Sequence, residues 1–230
     1  MFPSTWNWLQ TAWRVFHLST DRILWNSFLA FIPLFCSIWL FRRARSRSWA
    51  WWVIFWVFLA FLPNAPYILT DIIHFIYYVR LGYSTGIIIL VLIPQYSLFL
   101  FAGFQAYVLS LINVEFYLGK ENLKRFALPL ELGMHALSAI GIYLGRFLRL
   151  NSWDILAQPD EVFRGFDNFL EKRPFVFTLI SFLIIWGLYG LVKRIDLALF
   201  PCLLKNGKVK KKSNGGSRFV SYQVESSRRN

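Results

Sequence analysis

Asp71 and His74 stand three residues apart, one helical turn, just after a stretch holding Pro63, Asn64 and Pro66. A carboxylate and an imidazole at that spacing can act as an orienting acid and a general base, or as two ligands of a divalent metal. A second polar group, Gly145-Arg-Phe-Leu-Arg-Leu-Asn-Ser-Trp-Asp154, sets Arg146 and Arg149 at the same spacing, with Asn151 and Asp154 behind them. Two guanidiniums one turn apart form a fork suited to phosphate or carboxylate, which makes Arg146, Arg149 and Asn151 candidates for anion binding. Asp154 joins Asp71 and His74 as a catalytic candidate. A structural role fits the same residues: Arg146 or Arg149 pairs with Asp71 or Asp154, and Asn151 or Ser152 caps the following turn. A third pair, Glu131 and His135, lies four residues apart in an apolar run, hence on one helix face. Ionisable groups inside a bilayer are functional suspects, although a hydrogen-bonded pair that locks helices together fits equally. Haem ligation would need a second histidine at the depth of His135, and His74 lies too near the outer face to supply it.

The elements that must position these groups are membrane helices. Aromatic residues make up 20% of the 230 and charged residues 16%, a balance suited to a bilayer and not to water. A spanning helix needs about 20 mainly apolar residues. The windows Ile23–Phe41, Trp49–Leu62 with its continuation, Ile87–Leu111, Ala127–Gly145 and Pro174–Val192 meet or approach that length. The reading is an all-α polytopic membrane protein with about five spans plus interfacial amphipathic helices. Cys36 and Cys202 give neither a disulfide framework nor metal spacing.

A net charge of +13 invites a nucleic-acid reading, but its distribution opposes one. The basic residues gather at Arg42–Arg47, at Lys120–Arg125 and from Lys193 onward, and placing those segments in the cytoplasm puts 17 of the 25 Lys and Arg inside. The positive-inside rule then sets the amino terminus outside and the carboxyl terminus in the cytoplasm. No basic leader precedes the first apolar run, which therefore reads as an uncleaved anchor.

Three regions follow. Residues 1–22 carry Trp6, Leu9, Trp13 and Phe16 at helical spacing and read as an amphipathic segment lying in the interface. Residues 23–192 form the transmembrane domain, and 193–230 a basic, disordered tail attracted to anionic lipid. Asn26, near the outer end of the first span, reads as inter-helix glue. In the second span Pro63 and Pro66 lack N–H groups and leave the carbonyls of Leu59 and Leu62 unpartnered. Asn64 can replace one missing donor or cap a new helix, so a break is expected close to the outer leaflet. The helix after it is two-faced: Ile68, Ile72, Phe75, Ile76 and Val79 on one side, Tyr67, Thr70, Asp71, His74 and Tyr78 on the other. A further amphipathic helix, opened by Gln158-Pro-Asp160, reads as lying on the membrane surface.

Two stretches, Phe61-Leu-Pro-Asn-Ala-Pro-Tyr-Ile-Leu-Thr-Asp71 with His74 and Gly141-Ile-Tyr-Leu-Gly-Arg-Phe-Leu-Arg-Leu-Asn-Ser-Trp-Asp154, resemble a bacterial polytopic membrane-protein family classified as domain of unknown function 1361. The resemblance spans roughly Trp25 to Val192. It implies a multi-pass bacterial membrane protein, carries no activity with it and names no cofactor. H-E-x-x-H and phosphate-loop motifs are absent from the sequence. Three classes of function stay open. One is a structural or assembly factor with a membrane-protein partner. Another is an enzyme acting on a lipid-linked phosphate or other anionic headgroup at the outer interface. The third is a small-solute or ion carrier.

Overall fold

The computed structural model describes residues 5–149, 160 and 172–204. All regular structure among them is helical. Helix α1 (Thr5–Ser37) continues into a wider π-helical turn, Ile38–Arg43. Helix α2 (Trp49–Phe61) starts where the Ser48 hydroxyl accepts the Trp51 N–H, an N-cap of the usual kind. Then come α3 (Asn64–Tyr67), a 3-10 turn (Ile68–Asp71) and α4 (Ile72–Arg80). The short α5 (Thr85–Ile87) and a π turn lead into α6 (Ile93–Lys120). Helices α7 (Ala127–Phe147) and α8 (Lys172–Leu199) complete the bundle. Five stretches are long and apolar enough to cross a membrane: Thr5–Arg43, Trp49–Arg80, Thr85–Lys120, Lys124–Phe147 and Pro174–Leu199.

Two helices run across the region boundaries expected from the sequence. Residues 5–22 are not set off as a separate helix, because α1 runs through position 22 without a break. That first part stays on the bundle: Ser19 donates to Gln95 of α6 at 3.0 Å, and the Tyr78 hydroxyl donates to the Leu18 carbonyl at 3.2 Å. At the other end α8 continues past residue 193 to Leu199, and the Leu203 carbonyl accepts from Arg42 at 2.6 Å. The rest of the tail and the amphipathic stretch after Gln158 lie outside the described residues, residue 160 excepted.

The bundle is closely packed at the break between Pro63 and Pro66. Ala65 N–H bonds to the Leu62 carbonyl, and the Asn64 amide donates to the Phe61 carbonyl at 3.2 Å, so a side chain takes over a backbone donor's place. Asn64 is thus inside α3, and Pro63 occupies the cap position. Leu62, Ala65 and Ile68 are fully buried. Gly103 of α6 and Gly141 of α7 make room for the broken segment: a Cβ on Gly103 would stand 3.2 Å from Ile68 Cβ, and one on Gly141 2.7 Å from Pro63 Cγ. α3 is therefore wedged between α6 and α7.

Turn chemistry closes the remaining ends. Gly82 at φ 79° follows α4, and Asn122 at φ 60° follows α6, where Leu123 N–H reaches back to the Leu118 carbonyl at 2.8 Å. In the π turn after α1 the Leu40 carbonyl is taken by the Trp51 indole N–H at 3.2 Å. Trp51 also stacks on Phe55 and, with Phe41, Phe58 and Tyr117, forms the aromatic core at the arginine-rich end.

Candidate functional site

The 3-10 turn tightens the backbone just before α4 and turns Asp71 into the bundle, where it is 2% exposed. α4 is amphipathic in the membrane sense: Ile72, Ile73 and Ile76 face outward, while Tyr78 is buried, as is Asp71 just before the helix. Asp71 Oδ2 accepts from the Asn26 amide of α1 at 2.6 Å. Asp71 Oδ1 lies 3.8 Å from Arg146 Nη1 of α7 and 3.9 Å from His74 Nε2 of α4. One carboxylate thus joins groups from three membrane helices. Asn26, read as inter-helix glue, finds its partner here.

Asp71, His74 and Arg146 come together as one cluster. The His74 side chain is 30% exposed and Arg146 19%, so the cluster has a dry carboxylate and a wetter rim of imidazole and guanidinium. Arg149 sits just beyond α7, exposed and in left-handed backbone at φ 56°. Asn151 and Asp154 lie outside the described residues. As metal ligands Asp71 and His74 would supply two donors, and no group of three or more His, Cys, Asp or Glu suited to a metal occurs among the described residues. Carboxylate, imidazole and guanidinium side by side can hold a proton or an anionic oxygen at the Arg146 edge.

The second cluster is larger than its sequence trace. Glu131 Oε1 and His135 Nε2 are 4.0 Å apart, and Tyr107 Oη lies 2.7 Å from His135 Nδ1. Glu131 Oε2 accepts from Lys193 at 2.7 Å and from Tyr189 at 3.1 Å, while Lys193 also pairs with Glu115 at 2.9 Å. His135 is completely buried, and among the described residues no hydrogen-bond partner reaches its Nε2. Sequence reasoning found Glu131 and His135 but missed Glu115, Lys193, Tyr107 and Tyr189. Glu115 and Lys193 were detectable as charges near the same ends of their apolar runs. Polar threads tie the rest: Gln105 donates to buried Asp196 at 2.7 Å, Asn113 to Ser37 at 2.9 Å, and Arg42 to Asn113.

A family model described as protein of unknown function (DUF1361) matches residues 25–188, and the chain belongs to that family. No curated protein and no solved structure matches it.

Proposed function

We propose that this membrane-spanning member of a family of unknown function is a structural or assembly factor, with its amino terminus outside and its carboxyl terminus in the cytoplasm. The observation that supports this reading is the use of Asp71: its oxygens are shared among Asn26, Arg146 and His74 from three helices. A buried carboxylate so placed fixes how α1, α4 and α7 sit against one another, because leaving it unpaired in the bilayer would be costly. The apolar outer surface then meets lipid, and the basic tail meets anionic headgroups or a membrane-protein partner.

A second reading draws on Arg146. At 3.8 Å its ion pair with Asp71 is too long for a hydrogen bond, so guanidinium donors remain for an anionic oxygen. A lipid-linked phosphate or other anionic headgroup, bound or acted upon at the outer interface, fits that edge.

Stability separates the two. Asn26→Ala leaves Asp71 Oδ2 unpaired and should cost about 1–3 kcal/mol of unfolding free energy in detergent or bicelles. Under the structural reading Arg146→Ala also destabilises. Native stability in both variants would overturn it. Native stability in Arg146→Ala alone, with loss of binding to phosphatidic acid vesicles, would favour the headgroup reading.

A further inference from the structure

We propose that Arg22 and Arg146 hold the phosphate of one anionic phospholipid between α1 and α7, over the Asp71 carboxylate. This rests on the headgroup reading of Arg146 and adds a second guanidinium to it. Arg22 stands four residues before Asn26, so the two share one face of α1. Asn26 bonds Asp71 Oδ2 at 2.6 Å, and Arg22, one turn nearer the amino terminus, acts electrostatically on both Asp71 and His74. Arg146 comes to the same carboxylate from α7, at 3.8 Å.

Charge and hydrogen bonding both favour an anion there. Guanidiniums stay charged, so two of them face one carboxylate and one positive charge is left over. His74 adds to that surplus when protonated and takes nothing from it when neutral. Asp21, next to Arg22 in the chain, is exposed and forms no ion pair with it. Among the described residues neither guanidinium has a hydrogen-bond partner, although the Arg146 side chain is mostly buried. A lipid phosphodiester carries one negative charge and accepts the charge-assisted bonds of about 2.7–2.9 Å that guanidinium forks form. Phosphate and carboxylate together then balance the two arginines.

Depth identifies the phosphate as a lipid's. Arg47 pairs with Glu121, which sets the arginine-rich turn and the end of α6 at one level. Arg22 stands 21 residues before Arg43, and Arg146 stands 21 residues after Arg125, about 30 Å of helix in each case. The hydrocarbon layer is about 30 Å thick. With the basic turns at one surface, both guanidiniums therefore reach the opposite one, where phospholipid phosphates lie and a free ion must compete with them.

Native mass spectrometry of the full chain in a phosphate-free detergent, titrated with phosphatidylglycerol or with inorganic phosphate, tests this. The wild type should hold one phosphatidylglycerol per chain. Its affinity should fall about tenfold or more in R22Q and in R146Q, the loss of a charge-assisted bond. R14Q removes an exposed charge two turns farther out on α1 and should leave the affinity unchanged. Arg22 is exposed, so R22Q decides the matter even if R146Q does not fold. Native affinity in R22Q beside a loss in R146Q would overturn the proposal and leave the headgroup reading standing. Absence of phosphatidylglycerol from the wild type would sink both. Equal losses in R14Q and R22Q would mean attraction by net charge alone, and binding of phosphate without the lipid would mean a free-anion site; either overturns the proposal.

Discussion

Lys193 lies 2.7 Å from Glu131 and 2.9 Å from Glu115, an ammonium serving two carboxylates on two other helices. Lys193→Met strips the positive charge from both at once. Breaking such a pair from one side costs about 3–5 kcal/mol when it is well buried, and these partly exposed side chains set the loss toward the lower end. The triple variant K193M/E115Q/E131Q, which removes the charges together, should recover most of that loss in a denaturant titration of the detergent-solubilised protein. Equal losses in the single and triple variants would show that Lys193 acts through packing of its stem and not through its charge. Glu131 and His135 were legible in the sequence because an i, i+4 spacing puts both on one face of a single helix. Their partners were not, since Glu115 and Lys193 come from separate helices whose relative register no local pattern encodes. Asn26 was legible as a polar group needing a partner, but not as the partner of Asp71, 45 residues away.

Among the elements, α3 shows what a local rule can and cannot supply. Two prolines three residues apart dictate a broken helix wherever they fall, and the break is there. That it is wedged between Gly103 and Gly141 depends on side chains dozens of residues distant. Gly141→Ala would drive a methyl to 2.7 Å from Pro63 Cγ and closer still to its Cβ, against a ring that cannot rotate away. The expected penalty is about 1–3 kcal/mol of unfolding free energy. In a Pro63→Ala background the same substitution should cost measurably less, as contacting residues couple in a double-mutant cycle. Equal penalties in the two backgrounds would mean the helices separate to accept the methyl. The first helix gives the opposite lesson. Its aromatic spacing resembles an interfacial segment, yet residues 5–32 contain neither glycine nor proline, so nothing ends the helix at residue 22.

For the whole molecule, the proposed orientation, with five spans and the basic segments in the cytoplasm, makes a direct prediction. On a background lacking Cys36 and Cys202, a cysteine at Ser84 should react with an impermeant thiol reagent in intact cells, and one at Ser46 should not. The reverse pattern would invert the orientation and carry the Asp71 cluster to the cytoplasmic face. The spans are also unequal. Thr5–Arg43 covers 39 residues and Lys124–Phe147 covers 24, about 58 Å and 36 Å of helix against a hydrocarbon layer of about 30 Å. The shorter span fits with a slight tilt, whereas the longer must lean strongly or stand clear of the headgroups with Trp6 and Trp13 exposed on it. The first helix therefore extends farther from the hydrocarbon layer than the fourth span does. The depth and tilt of the protein will follow the acyl-chain length of the membrane that holds it.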